Sequence, residues 1–298
     1  MIKQPDLELR WQQLKDSWKN STLWLVCLLM LVNWGVEARK WQLLVSHIQK
    51  FSFFKAFKSV LSGCSVSMLT PNRVGEYGGR ILYVEEGNRI KAVSLTIVGS
   101  ISQLLVTLVM GCFGLLFLRY FSHTPVNGMN VLPDFWGNIL LYLSIGVTIV
   151  LLMFYLRLGW LVRTMEKIPA FQKIVTHISV LDEFSGNQLV RILSLSLGRF
   201  LIFVLQYILL LKIMHAEIPV IACFWLITVF YLVMAMAPTI GLLELPVRAK
   251  ASVMVMSLYS TNTLGIETAA LGIWIINLVV PALIGSLLIL GIKIMKEK

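Results

Sequence analysis

The sequence predicts an all-α polytopic membrane protein, with about six to eight transmembrane helices and two broken or re-entrant segments. Of its 298 residues, 57% are hydrophobic and only 14% are charged, whereas roughly a quarter of the residues in a soluble domain carry a charge. The mean hydropathy is +0.80, and the hydrophobic residues are concentrated in long charge-free runs. The pattern is also compatible with an internal repeat.

The N-terminal region combines a polar segment with a first apolar run. Residues 1–19 carry both signs of charge, with leucine and tryptophan at helical spacing, which predicts an amphipathic segment lying on the membrane. Residues 20–36 are free of charge and near the lower length for a crossing. Glu37 and Lys40 then lie between Trp34 and Trp41, a combination typical of an anchor at the membrane surface.

The next apolar run is too short to cross a bilayer. Residues 59–72 make up about half of the length that a crossing needs, and a polar, glycine-bearing tip at residues 70–80 follows them. Basic residues lie on both flanks, in 39–58 and 89–91. They favour a hairpin that enters and leaves on one side of the membrane, with a single irregular crossing as the alternative.

The remaining spans are predicted from longer apolar runs. These runs are residues 92–118, 135–156, 192–211, 218–237 and 268–292, with a moderately apolar stretch at 251–266. The sequence therefore predicts one transmembrane domain over residues 20–292, between the N-terminal segment 1–19 and a basic tail at 293–298.

The distribution of basic residues predicts the orientation. The connection 157–191 is rich in arginine and lysine, whereas the loop 120–134 has neither between its ends, so the first is expected inside and the second outside. The basic tail is then cytoplasmic, in a prokaryotic cytoplasmic (inner) membrane, and the side of the N-terminus is left open. A net charge of +11 spread over such connections favours anionic lipid headgroups, and not nucleic acid, as partners.

Two charged, helix-breaking segments carry the candidate site. The first contains Pro71, Arg73, Gly75, Glu76, Gly78, Gly79 and Arg80. Helix breaks expose backbone groups that bind ions or headgroups, and arginine offers a forked donor suited to phosphate. The alternative is an ordinary interfacial loop with an internal salt bridge.

The second segment repeats the order proline, glycine, glutamate, arginine. It consists of Pro238, Gly241, Glu244, Pro246 and Arg248. Paired breaks in corresponding halves of a chain are typical of the substrate site in repeat-built transporters. A simple connecting loop is the alternative.

Arg199 is a charged residue inside a predicted span. An arginine at this depth faces a charged partner or a cavity, unless it reaches the interface by extending along its helix. Glu76 or Glu244 is the predicted partner. We expect no metal, cofactor or catalytic residue, because the four histidines are scattered and the chain has no phosphate-binding loop or nucleophile elbow.

The first segment resembles the lysylphosphatidylglycerol synthase transmembrane, or flippase-like, family. The resemblance lies in Leu61-Ser-Gly63, in Thr70-Pro-Asn-Arg-Val-Gly-Glu76 and in Arg80, where the family commonly has Thr-Pro-Gly-Arg-x-Gly-Glu/Asp. Asn33 and residues 39–41 are similar to the region after the family's first helix. Residues 238–244 are similar to an incomplete version of the family's second motif. Asn72 replaces a glycine, and the second motif lacks a double glycine and an arginine. No soluble aminoacyl-transfer domain is evident, so the resemblance implies the lipid-translocating half.

The leading functional hypothesis is a lipid translocator for an anionic phospholipid or a polyprenyl-linked glycolipid. The residues assigned to substrate binding are Arg73, Glu76, Arg80, Arg199, Glu244 and Arg248. The alternative is a membrane-embedded enzyme, or an accessory subunit, of glycolipid or glycosyl transfer, and a membrane scaffold is the third hypothesis. Association with a glycolipid or lipid-modifying synthase, or with a second copy, is left open.

Overall fold

The computed structural model describes residues 20–120, 134–168, 178–237 and 244–296, together with residue 16. Within these ranges the chain is helical apart from its connections, which confirms the predicted all-α fold. The predicted amphipathic segment 1–19 lies outside the described residues except for residue 16. The predicted tail is helical through Lys296.

The helices follow one another with short connections. In chain order they are α1 Ser21–Val45, α2 Phe53–Met68, α3 Gly75–Ile81, α4 Arg89–Tyr120, α5 Asp134–Leu156, α6 Leu158–Glu166, α7 Gly186–Ile213, α8 Val220–Met236, α9 Glu244–Met256, α10 Thr263–Trp274 and α11 Val280–Lys296. A π-helical segment, Ile275–Val279, joins α10 to α11.

Five of these helical stretches are long and apolar enough to cross a membrane. Among the described residues they are Ser21–Val45, Glu86–Tyr120, Gly137–Leu156, Gly186–Ile213 and Thr263–Ile292. The last one begins earlier than the predicted 268–292. The predicted apolar stretch 251–266 is not one element, because α9 ends at Met256 and α10 begins only at Thr263.

The connections gather at two ends of the molecule. At one end, Glu85 N donates to Gln49 Oε1 at 3.1 Å, and the ring Nε2 of His47 lies 3.0 Å from Gln188 Nε2. We call this the basic end, because Lys50 and Arg89 lie in or beside these connections. At the opposite end, Asn262 Nδ2 donates to the carbonyl oxygen of Met214 at 3.0 Å.

Helices α2 and α3 form a hairpin that opens at the basic end. Residues 48–49, which precede α2, contact residues 85–88, which follow α3, through the Glu85 contact above and Asn88 Nδ2 to Ile48 O at 3.3 Å. The 16 residues of α2 rise about 24 Å, less than a hydrocarbon core. The predicted hairpin geometry is therefore present in the fold.

The backbone geometry at the tip of this hairpin accounts for several residue types in the first segment. Asn72 and Arg73 have φ of 48° and 58°, in the left-handed region that glycine adopts most readily and asparagine tolerates better than most other residues. Thr70 Oγ1 accepts from Gly75 N at 2.7 Å and so caps α3. A side chain at Gly75 would lie 2.7 Å from Thr70 Oγ1, which accounts for glycine there.

Helices α8 and α9 form a second hairpin, which opens at the opposite end. α8 begins just after residues 214–215, and the turn that follows α9 returns to them through Asn262. Val229 of α8 and Val255 of α9 belong to one buried apolar cluster. Pro238 and Gly241, which lie between α8 and α9 in the sequence, are outside the described residues.

Close helix contacts hold the hairpins between the long helices. A Cβ atom on Gly79 of α3 would lie 2.6 Å from Gly63 Cα of α2, and Gly285 of α11 approaches the backbone of Leu61 equally closely. Ser65 and Ser286 join α2 to α11 by a hydroxyl contact of 2.6 Å. Small residues at such interfaces let membrane helices approach closely.

Candidate functional site

Glu37 of α1 is the centre of a buried ion cluster. Its Oε2 accepts from Lys40 Nζ at 2.8 Å and from Arg199 Nη1 at 2.9 Å, and its Oε1 accepts from Arg80 Nη2 at 2.6 Å. Glu37, Lys40 and Arg80 are each 2% exposed or less. Charges at this burial persist only with partners, because desolvation of an isolated ion costs several kcal/mol.

Arg80 joins the first hairpin to this cluster. Besides Glu37, its guanidinium pairs with Glu76, one helical turn earlier in α3. The guanidinium carbon of Arg80 also lies 5.2 Å from the centroid of the Trp41 ring, in a cation–π contact. Ser59 Oγ donates to the Arg80 carbonyl at 2.8 Å and accepts from Trp41 Nε1 at 2.9 Å. These contacts hold the arginine between α1 and α2.

Arg199 of α7 is held by α1 as well. Its Nε donates to Asn33 Oδ1 at 2.9 Å, and its guanidinium carbon lies 5.3 Å from the Trp34 ring centroid. Asn33 Nδ2 in turn donates to Asn277 Oδ1 at 3.0 Å, in the π-helical segment. Arg199 is therefore tied directly to α1 and, through Asn33, to the π-helical segment.

A second ion group links the tips of the two hairpins. Glu244, at the start of α9, pairs with Arg248 one turn later and with Arg73 of the first tip, whose Nη2 lies 3.4 Å from Glu244 Oε2. Burial raises the pKa of the Glu244 carboxyl, but Arg73 and Arg248 outweigh that effect and hold this pKa below its ordinary value. The carboxylate is therefore ionised at neutral pH.

Two adjoining cavities lie against these ion groups. One, of about 440 Å³, is lined by Glu37, Lys40, Arg73, Glu76 and Arg199. The other, of about 270 Å³, is lined by Arg73, Arg199, Glu244 and Arg248. Their shared walls are Trp34, Arg73, Gln103, Thr107, Arg199 and Leu278. Glu76 and Glu244 thus face neighbouring parts of one polar region.

The structure brings the six predicted site residues to this region. Arg73, Glu76, Arg199, Glu244 and Arg248 line the cavities, and Arg80 lies behind them on Glu37. Both segments contain the same glutamate–arginine pair at a spacing of four residues, Glu76 with Arg80 and Glu244 with Arg248. The predicted internal salt bridge of the first segment is present. Of the predicted break residues, Pro71 precedes α3 and is exposed, whereas Gly75, Gly78 and Gly79 lie within α3 and do not break it.

Two predictions about this region are wrong. The partner of Arg199 is Glu37, and neither Glu76 nor Glu244 contacts it directly. The interpretation of residues 33–41 as a surface anchor also fails, because α1 continues to Val45 and buries Glu37 and Lys40. The signal was the spacing of Asn33, Glu37 and Lys40, which places three polar groups on one helix face.

The fold and the site define an integral α-helical membrane protein with a charged, cavity-lining cluster inside its helical bundle. The family model described as the lysylphosphatidylglycerol synthase TM region matches residues 7–285, nearly the whole chain. The chain therefore belongs to this family. Searches of curated proteins and of solved structures found no match.

Proposed function

We propose that the protein translocates lipids, and that the cavities hold the headgroup of an anionic phospholipid or a polyprenyl-linked glycolipid. The observation that carries this proposal is the contact between Arg73 and Glu244, at the tips of two short hairpins that enter the fold from opposite ends. A headgroup that reaches this contact from either end would have passed much of the way through the protein. The family's lipid-related character agrees with this function.

The arginines supply the chemistry for an anionic headgroup. Arg73, Arg199 and Arg248 line the smaller cavity, and the guanidinium fork matches the geometry of phosphate oxygens. Arg73 is the most accessible of them, since its side chain is 47% exposed. In this proposal the phosphate contacts Arg73 first, and Arg73 then releases Glu244 and binds the phosphate in its place. Arg80, which is fully enclosed, positions Glu76 and Glu37.

The apolar surface of the first tip supports a position in hydrocarbon. Leu69 is 84% exposed and Val74 is 57% exposed, on either side of the polar turn. Exposed apolar side chains around a buried charged cluster suit a re-entrant hairpin, because charge is tolerated at that depth only against protein or a wet cavity. We also propose that the basic end faces the cytoplasm, as the distribution of arginine and lysine indicates.

The test is lipid movement in vesicles reconstituted with the purified chain. Vesicles contain a fluorescent anionic phospholipid, and dithionite added outside reduces only the label that reaches the outer leaflet. We expect fast loss of the protected label with the native chain and loss of that effect with Arg73→Ala. Arg163→Ala is the matched control, because Arg163 pairs with Asp182 at a distant exposed site.

The other hypotheses appear as different results of the same experiment. Equal movement in the Arg73→Ala and native vesicles would refute the assigned site. Covalent turnover of a labelled lipid-linked sugar by the purified chain, without movement, would favour an enzyme or an accessory subunit of glycosyl transfer. If neither movement nor turnover occurs, a scaffold role, for example beside a lipid-modifying synthase, is favoured.

A further inference from the structure

The two ion groups contain more cations than carboxylates. In the first, Lys40, Arg80 and Arg199 surround Glu37, and Arg80 also pairs with Glu76. In the second, Arg73 and Arg248 share Glu244. Each group thus has one cation in excess. The cations of the first group have side chains at most 15% exposed, where uncompensated charge is costly, whereas Arg73 of the second group is 47% exposed and open to solvent. The region therefore has room for up to two further negative charges.

Three residues of the smaller cavity wall carry a buried side-chain N–H group without an acceptor. Among the described residues, no acceptor contacts Arg248 Nε, Trp274 Nε1 or Trp34 Nε1. These residues are between 5% and 7% exposed, and all three line the 270 Å³ cavity. Buried N–H groups normally have partners, so three unpartnered donors on residues of one cavity wall favour a ligand rich in acceptor oxygens.

From these observations we propose that the cavity selects a phosphate group that carries two negative charges, as in a phosphomonoester or a diphosphate. Two charges match the two excess cations, and the additional oxygens match the open donors of Arg248, Trp34 and Trp274. A phosphodiester headgroup has one charge, and a zwitterionic headgroup has none in total. This inference rests on the proposed lipid site, but it concerns the kind of headgroup and not its movement.

The test compares short-chain lipids that differ only in the headgroup. The full chain in detergent is titrated with dihexanoyl phosphatidic acid, phosphatidylglycerol or phosphatidylcholine at about pH 8, where a phosphomonoester is doubly ionised. We expect phosphatidic acid to bind about ten-fold more tightly than phosphatidylglycerol, since one additional charged contact accounts for that factor. Equal affinities for these two lipids would overturn the inference.

Two variants with opposite expected effects exclude a simple folding defect. Arg248→Gln removes one excess cation and is expected to abolish the preference for phosphatidic acid. Glu244→Gln removes a carboxylate, enlarges the excess, and is expected to tighten phosphatidic acid binding several-fold. Arg163→Gln is the matched control and should retain the native preference. Weaker phosphatidic acid binding by folded Glu244→Gln would contradict the charge argument.

An additional titration distinguishes the source of the phosphate. If inorganic phosphate binds as tightly as phosphatidic acid, the ligand is still a doubly charged phosphate. That result would, however, refute the inference that the phosphate belongs to a lipid. The vesicle assay separates this inference from the proposed function. Movement of all three headgroups at equal rates would leave translocation intact and refute the selectivity, whereas selective binding without movement would refute translocation alone.

Discussion

Arg73 and Glu244 are 171 positions apart in the chain, yet Arg73 Nη2 lies 3.4 Å from Glu244 Oε2. The first residue belongs to a hairpin that opens at the basic end and the second to a hairpin that opens at the opposite end. Their contact places two helix breaks, each in a segment too short to cross a bilayer, at one depth inside the protein. The ion pair is thus one of the direct contacts between the two halves of the chain, together with Glu37–Arg199 and Ser65–Ser286.

The two partners of this contact are expected to differ in their effect on stability. Glu244→Gln should destabilise the protein by roughly 3 kcal/mol, because it leaves Arg248, whose side chain is 9% exposed, without a carboxylate. Arg73→Ala should cost less than about 1 kcal/mol, since Arg73 is half exposed and screened by solvent. Thermal unfolding in detergent, followed by tryptophan fluorescence, measures both. A larger loss for Arg73→Ala would reverse our assignment of the buried partner.

Glu37→Gln is expected to be among the most damaging single substitutions. Three cations contact this carboxylate, and its removal leaves Lys40 and Arg199 without a carboxylate and Arg80 with Glu76 alone, at a cost of about 3–5 kcal/mol. Glu86→Gln is the matched control, because Glu86 pairs with Arg89 and its side chain is 84% exposed. The control should change stability by less than about 1 kcal/mol. Similar unfolding temperatures for the two variants would show that Glu37 is not the centre of the cluster.

Two adjacent glycines of α3 are expected to respond differently to alanine. At Gly79 a methyl group would lie 2.6 Å from Gly63 Cα and also contact Ser62 O, so Gly79→Ala should separate the hairpin and cost about 1–3 kcal/mol. At Gly78 no atom lies within 4 Å of the position that a methyl group would take, and alanine favours helix by up to about 1 kcal/mol. Unfolding temperatures of both variants measure the difference, and equal tolerance would argue against the close packing of the hairpin.

The polar cavities are expected to admit water. In a chain whose native cysteines are replaced by alanine, Thr107→Cys should react with a charged methanethiosulfonate reagent in reconstituted vesicles, because Thr107 lines both cavities. Phe113→Cys on the same helix should stay unreactive, since Phe113 is 51% exposed on an apolar surface where lipid keeps the thiol protonated. The native cysteines are Cys27, Cys64, Cys112 and Cys223. No labelling of Thr107→Cys would mean that the cavities are closed to solvent.

The orientation is open to a direct measurement. α10 begins at the opposite end, where Asn262 contacts Met214, and continues through Ile275–Val279 into α11, whose Gly285 packs on Leu61 of α2. α11 therefore runs towards the basic end, and we expect the C-terminus in the cytoplasm. A green fluorescent protein fused there should be fluorescent, and an alkaline phosphatase fusion should be inactive. Active phosphatase would invert the proposed topology, although it would leave the fold unchanged.

Local features of the chain were enough to predict much of the architecture. Long charge-free runs specify membrane helices because a bilayer accepts only segments that satisfy their own backbone hydrogen bonds. Proline and glycine beside short apolar runs, at residues 70–80, indicated the first hairpin because both residues are unfavourable in the interior of a helix. The charged residues at the two breaks were therefore recognisable as candidates without any knowledge of their neighbours.

The pairing of those charges was decided only by the packing of the helices. Several carboxylates were open as partners to Arg199, and Glu37 was hidden at the end of a charge-free run. α1 continues past Glu37 because Lys40, Arg80 and Arg199 converge on it from α1, α3 and α7. Electrostatic energy between such groups depends on distance and burial, which arise from contacts between residues far apart in the chain.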